Sequence, residues 1–195
     1  MPYPAGHRVA IREKIVDSAR RLFNQRGFDN VTVKQIMAGA GLTHGGFYDY
    51  FKGKSSLYTE VLGCFFTDPH WKRRWKGVRV DLEADDVGQQ IIRAYLSRAH
   101  FEDVENSCPM VALPMDVQRN GKPVKEAFET VFRAMVGAIE QSARGTRRAR
   151  RDRAQAIAAL CIGGLIVART VCTERIADDL RGACMGVALE ILDAG

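Results

Sequence analysis

The sequence predicts an all-α protein of about nine helices. Three observations carry this. Apolar residues recur three and four positions apart through most of the chain, and Thr, Ser or Pro open several of these runs. Glycines close the first two. Strand-like alternation never lasts beyond a few residues, and "VRVDLE" (78–83) is the only tempting fragment.

Ile11, Ile15, Ala19, Leu22 and Phe23 define a first helix from about Val9 to Arg26, with Gly27 placed to end it in a left-handed cap. Thr32 precedes Val33, Ile36, Met37 and Ala40, and Gln35 three residues on completes a capping box, so a second helix runs to Gly41. Thr43 opens a third, short helix through Tyr50 or Phe51. Its first turn contains Gly45 and Gly46, each costing about 1 kcal/mol relative to Ala in a helix. A longer helix, Ser55 to about Phe66, follows "KGKSS".

From Asp68 the texture changes. "DPHWKRRWKGVRVDLEADD" has no sustained period and reads as a hinge with one short turn at Asp68 and Pro69, dividing the chain into units 1–66 and 67–195. Beyond it the pattern predicts helices over Asp85–Glu102, Pro109–Arg119 with a kink at Pro114, Pro123–Ser142, Arg151–Cys172 and Glu174–Leu192.

The chain has 195 residues, of which 46% are hydrophobic, and a formal net charge of +6. Residues 1–60 carry nine basic and five acidic side chains, whereas 61–121 carry eight and nine. A basic N-terminal unit favours a polyanionic partner. The first residues lack the apolar core of a secretory signal, which places the chain in the cytoplasm with reduced thiols. Five cysteines, an odd number without C-x-x-C spacing, argue against a disulfide framework or a metal site. The longest apolar run, Ala156–Ala168, is shorter than the roughly 20 residues that span a bilayer, so it reads as a buried helix and no membrane partner is expected.

Enzyme readings find little to use. Cys108 and His100 lie eight residues apart without an orienting carboxylate, and no G-x-S-x-G or Walker pattern occurs. "GAGLTHG" misses the dinucleotide fingerprint by one residue and follows no strand. No catalytic residue and no cofactor is expected.

Two short helices joined by a tight Gly-containing turn, with a longer helix before them, describe a helix-turn-helix over 32–51. The second helix of such a motif enters the DNA major groove by its N-terminus. There a side chain at 45 or 46 would hold the backbone away from the duplex.

"GFDNVTVKQIMAGAGLTHGGFYDYFKGKSSLY", residues 27–58, resembles the DNA-binding domain of the TetR (tetracycline repressor) family of bacterial transcription regulators, and the likeness extends over roughly residues 10–65. The resemblance implies that Thr32 caps the second helix and binds phosphate, and that Thr43, His44, Gly45 and Gly46 line the groove. It implies that Tyr48 and Tyr50 contact backbone or bases, that Lys54 meets a phosphate, and that Phe47 and Phe51 are core. Tyr50 stands where many relatives have His. The family also implies a homodimeric repressor whose C-terminal helical domain binds a small-molecule effector that releases operator DNA. A regulator without an effector, or an activator, is the alternative.

"AQAIAALCIGGLIVARTVC" is apolar nearly all round, as an enclosed helix should be. With 174–192 beside it, 151–172 could supply half of a four-helix dimer interface, or be an intramolecular core helix. "ARGTRRARRDR" (143–153) holds six arginines; it reads as a solvated loop and first helical turn, against a nucleic-acid or membrane reading.

Cys108 precedes Pro109, which places its sulfur at a helix N-terminus. Some TetR-type repressors that respond to electrophiles or oxidants look similar around such a cysteine, which suggests a switch; a buried, inert thiol is the alternative. Trp71, Trp75, Tyr95, Phe101, Met110, Met115, Phe128, Phe132 and Met135 are candidates for an effector pocket or for plain core.

Overall fold

The computed structural model describes residues 5–64, 78 and 80–194, all helix, turn or coil. The helices are α1 (Ala5–Arg26), α2 (Val33–Gly39), a 3-10 helix (His44–Asp49), α3 (Lys54–Gly63), α4 (Val87–Tyr95), α5 (Arg98–Glu102), α6 (Pro109–Ala112), α7 (Pro114–Arg119), α8 (Lys122–Ser142), α9 (Arg147–Thr170) and α10 (Glu174–Asp193). The all-α class is as the periodicity predicts. The expected turn at Asp68 and Pro69, and the candidate ring residues Trp71 and Trp75, lie outside the described residues.

The helix count exceeds nine because two predicted helices are each divided. Ser97 breaks Asp85–Glu102: its hydroxyl donates to Ala94 O (2.7 Å) and accepts from His100 N (3.1 Å), capping a new helix. The turn sends the fully buried His100 inward, where Nδ1 meets Tyr95 O (2.8 Å) and Nε2 meets Ser107 Oγ (3.1 Å). Pro114 divides the other, because it offers no N–H to continue the ladder and instead occupies the first position of α7. The last long pair also shifts. α9 starts at Arg147, four residues before the predicted Arg151, since Thr146 accepts from Ala149 N (3.3 Å) as its N-cap.

Two apolar cores result. One joins α1, α2, the 3-10 helix and α3 around Ile15, Phe23, Ile36, Phe47, Leu57 and Tyr58. Tyr58 packs against Phe23 (ring centroids 5.2 Å apart) and Phe28 (4.5 Å). The other is built on α4, α6, α8, α9 and α10 around Ile92, Met110, Met135, Ile157, Cys161 and Leu192. α9 and α10 approach so closely that a Cβ on Gly164 would come within 2.7 Å of Cys184 Sγ.

The cores are continuous through the middle of the chain. Leu113, Val117 and Val124 complete the first core, and Phe128 packs against both. Polar links reinforce this. Asn24 Nδ2 of α1 donates to Glu105 O (3.0 Å) and Ser107 O (2.9 Å), and Asp116 of α7 accepts from Phe28 N (2.7 Å). Arg169 of α9 donates to Ser107 Oγ (2.7 Å), to Phe101 O (3.1 Å) and to His100 O. The segment from His100 to Cys108 is therefore hydrogen-bonded to α1 on one side and to α9 on the other.

Candidate nucleic-acid interface

Short sequences cannot hold a helical turn without fixed ends, and here both ends of α2 are fixed locally. Thr32 Oγ1 accepts from Gln35 N (3.2 Å) while Thr32 N donates to Gln35 Oε1 (2.8 Å), the reciprocal box that the sequence predicts. Gly41 takes φ +71°, and Leu42 N returns to Met37 O (2.8 Å). The chain then reverses into the 3-10 helix.

That element was expected as an α-helix. It is tighter because Gly46 N bonds back to Thr43 O (3.3 Å) and Tyr50 N to Phe47 O (3.0 Å), both three residues apart. Two aromatic anchors hold it. Phe47 is fully buried and Phe51 nearly so, with their rings stacked at 5.6 Å. The C-terminal carbonyls are taken up by α1: Arg8 donates to Asp49 O (2.7 Å) and Arg12 to Tyr50 O (2.6 Å), while Arg12 also pairs with Glu60. Cations at a helix C-terminus suit its dipole. Arg8 and Arg12 escaped the sequence reading; their spacing of four on α1 was the available signal.

The rest of the element faces outward. Thr43, His44 and Gly45 are exposed, and Tyr48 is 63% exposed with its ring edge-on to His44 (6.4 Å). The two glycines differ in their surroundings. A Cβ on Gly45 would meet open space, whereas one on Gly46 would lie 3.8 Å from Met37 Cε in the core. Tyr50 is half-buried under the Arg8 guanidinium, 5.6 Å from its ring centre.

Lys54, the first residue of α3, points to the turn before α2. Its ammonium donates to Phe28 O (2.8 Å) and Val31 O (3.0 Å) and sits 4.1 Å from the Phe28 ring centre. This places Lys54 beside the peptide that leads into exposed Thr32. The lysine ties α3 to the α1–α2 turn, a structural duty that local sequence does not display. Lys54→Met should lower unfolding free energy by about 1–3 kcal/mol, read from the urea midpoint, because two carbonyls lose a charged donor. A free surface lysine would change it by about 0.5 kcal/mol or less.

The effector candidates described by the structure gather in the second core. Tyr95, Cys108, Met110 and Met135 are buried there, with Phe101, Phe128 and Phe132 packed against it; Met115 instead is 62% exposed on α7. Cys108 is the N-cap of α6, Pro109 following at the first helical position. Burial, together with the adjacent Cys108, raises the Tyr95 phenol well above its ordinary value. Burial likewise pushes the Cys161 thiol up to about 12. No group of three or more His, Cys, Asp or Glu forms a metal-holding cluster among the described residues.

A capped helix, a glycine turn and an outward-facing second element held by aromatic anchors define a helix-turn-helix protein. Residues 15–61 match the family described as bacterial regulatory proteins, tetR family. The chain is 42% identical over 50 residues to the HTH-type transcriptional regulator AcrR of Shigella flexneri, covering 26% of this chain and 23% of that one. It is 29% identical over 105 residues to the HTH-type transcriptional repressor KstR2 of Rhodococcus jostii, covering 54% and 48%. These matches span less than half the length of either relative.

The fold extends further than the sequence likeness. The solved structure of E. coli NemR in its reduced form superposes with TM-score 0.72 at 17% identity, covering 95% of this chain and 98% of that one. Residues 15–61 therefore carry the DNA-binding helix-turn-helix of the tetR family, and the rest of the chain shares the fold of such regulators.

Proposed function

We propose that the protein is a homodimeric repressor that reads operator DNA with residues 43–48 of each protomer and releases it when a small molecule binds the α4–α10 half. The observation carrying the DNA reading is Gly45, open to solvent at the N-terminal end of a firmly anchored element, with Thr43, His44 and Tyr48 exposed around it. Thr32 and Tyr50 are assigned to phosphates, with Gly46 beside Gly45 on the groove-facing turn. Lys54 is assigned to positioning Thr32, its remaining N–H being available to the same phosphate. Names of relatives such as KstR2 favour repression.

The dimer reading rests on the outer faces of α9 and α10. Ala159 and Val167 on α9 and Ile176, Ala183, Gly186 and Val187 on α10 are exposed, at helical spacing and without charge. A Cβ at Gly163, Gly182 or Gly186 would meet open space. Small residues of this kind let a second helix pair approach closely. Two protomers would present two reading elements to a palindrome.

Selection of duplex DNA from a random pool tests both statements. The expected product is an inverted repeat bound with an affinity that falls steeply with salt. A single unrepeated half-site would sink the dimer reading, and salt-independent binding the DNA reading.

A second reading is favoured by one observation: the loop that ends at Cys108 is hydrogen-bonded to α1 through Asn24. Modification of that thiol by an electrophile or oxidant would have to open the core and would disturb this link. Cys108→Ser should then keep operator binding and lose release by quinones or reactive aldehydes. Normal release by the variant would remove the reading.

A further inference from the structure

The arginines of 143–153 serve neither core. Arg147, Arg148 and Arg151 of α9, with Arg133 and Glu140 of α8, line a cleft of about 620 Å³. Four guanidinium groups from two helices thus meet one carboxylate.

Their internal partners are weak. Arg151 reaches Glu140 at 3.4 Å, Arg148 reaches Asp152 at 3.9 Å with both side chains largely exposed, and Arg133 pairs with Glu129 outside the cleft lining. The exposed Arg133 and Arg148 pairs contribute about 0–1 kcal/mol, so a ligand can displace them, and the part-buried Arg151–Glu140 contact is long. Arg147 has no ion pair among the described residues. The arrangement also opposes the helix that carries it. α9 has no acidic residue in its first turn, and cations there lie against the positive end of the helix dipole. Glu140 and Asp152 offset these cations only in part among the described residues, and an anion in the cleft would complete the balance.

The geometry points to a binding site in this cleft for a compact polyanion with two or more phosphate groups. Guanidinium forks match phosphate oxygens two at a time. The volume lies in the range of small-molecule sites and is bounded by α8, unlike the extended track that a polynucleotide occupies. Selectivity for several phosphates comes from reach: a single phosphate can engage one or two of the four guanidinium groups, whereas linked phosphates engage more of them at once, and Glu140 opposes every anion.

Titration calorimetry of the full chain in about 150 mM NaCl, which screens loose surface attraction, tests the site with inorganic tripolyphosphate, ATP and orthophosphate. One tripolyphosphate or ATP per chain is expected, with orthophosphate about tenfold weaker or worse. Tighter binding of ATP would make the source a nucleotide, and equal or weaker binding an inorganic phosphate chain; both support the site.

Arg147→Ala with Arg148→Ala, both exposed positions, should weaken tripolyphosphate about tenfold or more, and Glu140→Gln should strengthen it. A control pair, Arg119→Ala with Lys122→Ala, should leave it unchanged. Absence of heat at millimolar tripolyphosphate, or equal loss in the control pair, would overturn the proposal. The DNA affinity of the Arg147/Arg148 variant should match the wild type, which keeps this result separate from any failure of the DNA reading.

Discussion

Gly45→Leu should reduce operator affinity to the level of non-specific DNA, a loss of about a thousandfold or more, while leaving the protein as stable as the wild type. The stability half of this expectation follows from space and propensity. A Cβ at position 45 meets no atom within 4 Å, and Leu is favoured over Gly in helical backbone by up to about 1 kcal/mol. The affinity half follows from the same vacancy. An isobutyl group projecting from the N-terminal end of the 3-10 helix would occupy the space in which base edges must sit.

Gly46→Leu is the less informative variant. Its side chain would grow toward Met37, so a binding defect could arise from a shifted core. Band-shift titration of Gly45→Leu against the selected operator, with a urea melt of the same sample, separates the two quantities. Wild-type affinity in a folded Gly45→Leu protein would mean that this surface does not face DNA.

Gly186→Arg should convert the proposed dimer to monomer in sedimentation and cost about 10²- to 10⁴-fold in operator affinity, since each half-site would then be bound without the avidity of its partner. Position 186 is exposed on α10, and a Cβ there is unobstructed within the chain, so no intramolecular contact is lost. A buried guanidinium without a partner is costly at an interface between apolar faces. Gly137→Arg on α8, also unobstructed, is the matched control and should remain dimeric. A dimeric Gly186→Arg protein would place the two-fold contact elsewhere.

Much of the N-terminal unit could be read from the chain because its signals act between neighbours. The Thr32–Gln35 box spans three residues, and the left-handed turns at Gly27 (φ +76°) and Gly41 (φ +71°) need only the missing Cβ. Cys108 at the start of α6 and the break at Pro114 are local in the same sense. Features set by distant partners were harder to read. The family resemblance implies only a phosphate contact for Lys54, whereas the fold also places Phe28 O and Val31 O beside its ammonium. Ser97 divides a periodic run by capping a new helix, and the turn brings His100 to Tyr95 O and Ser107, partners that periodicity does not display.

The sequence by itself determined the all-helical class and the helix-turn-helix, since periodicity, caps and turn glycines are chemistry between residues a few positions apart. Tertiary structure alone decided that the second element is a 3-10 helix clamped by Arg8 and Arg12, that Gly45 and not Gly46 is the open position, and that α6 and α7 join the two cores. Those outcomes depend on which surfaces remain uncovered after α1, α3 and α8 have packed. Burial is a property of the whole chain, and no short window of sequence contains it.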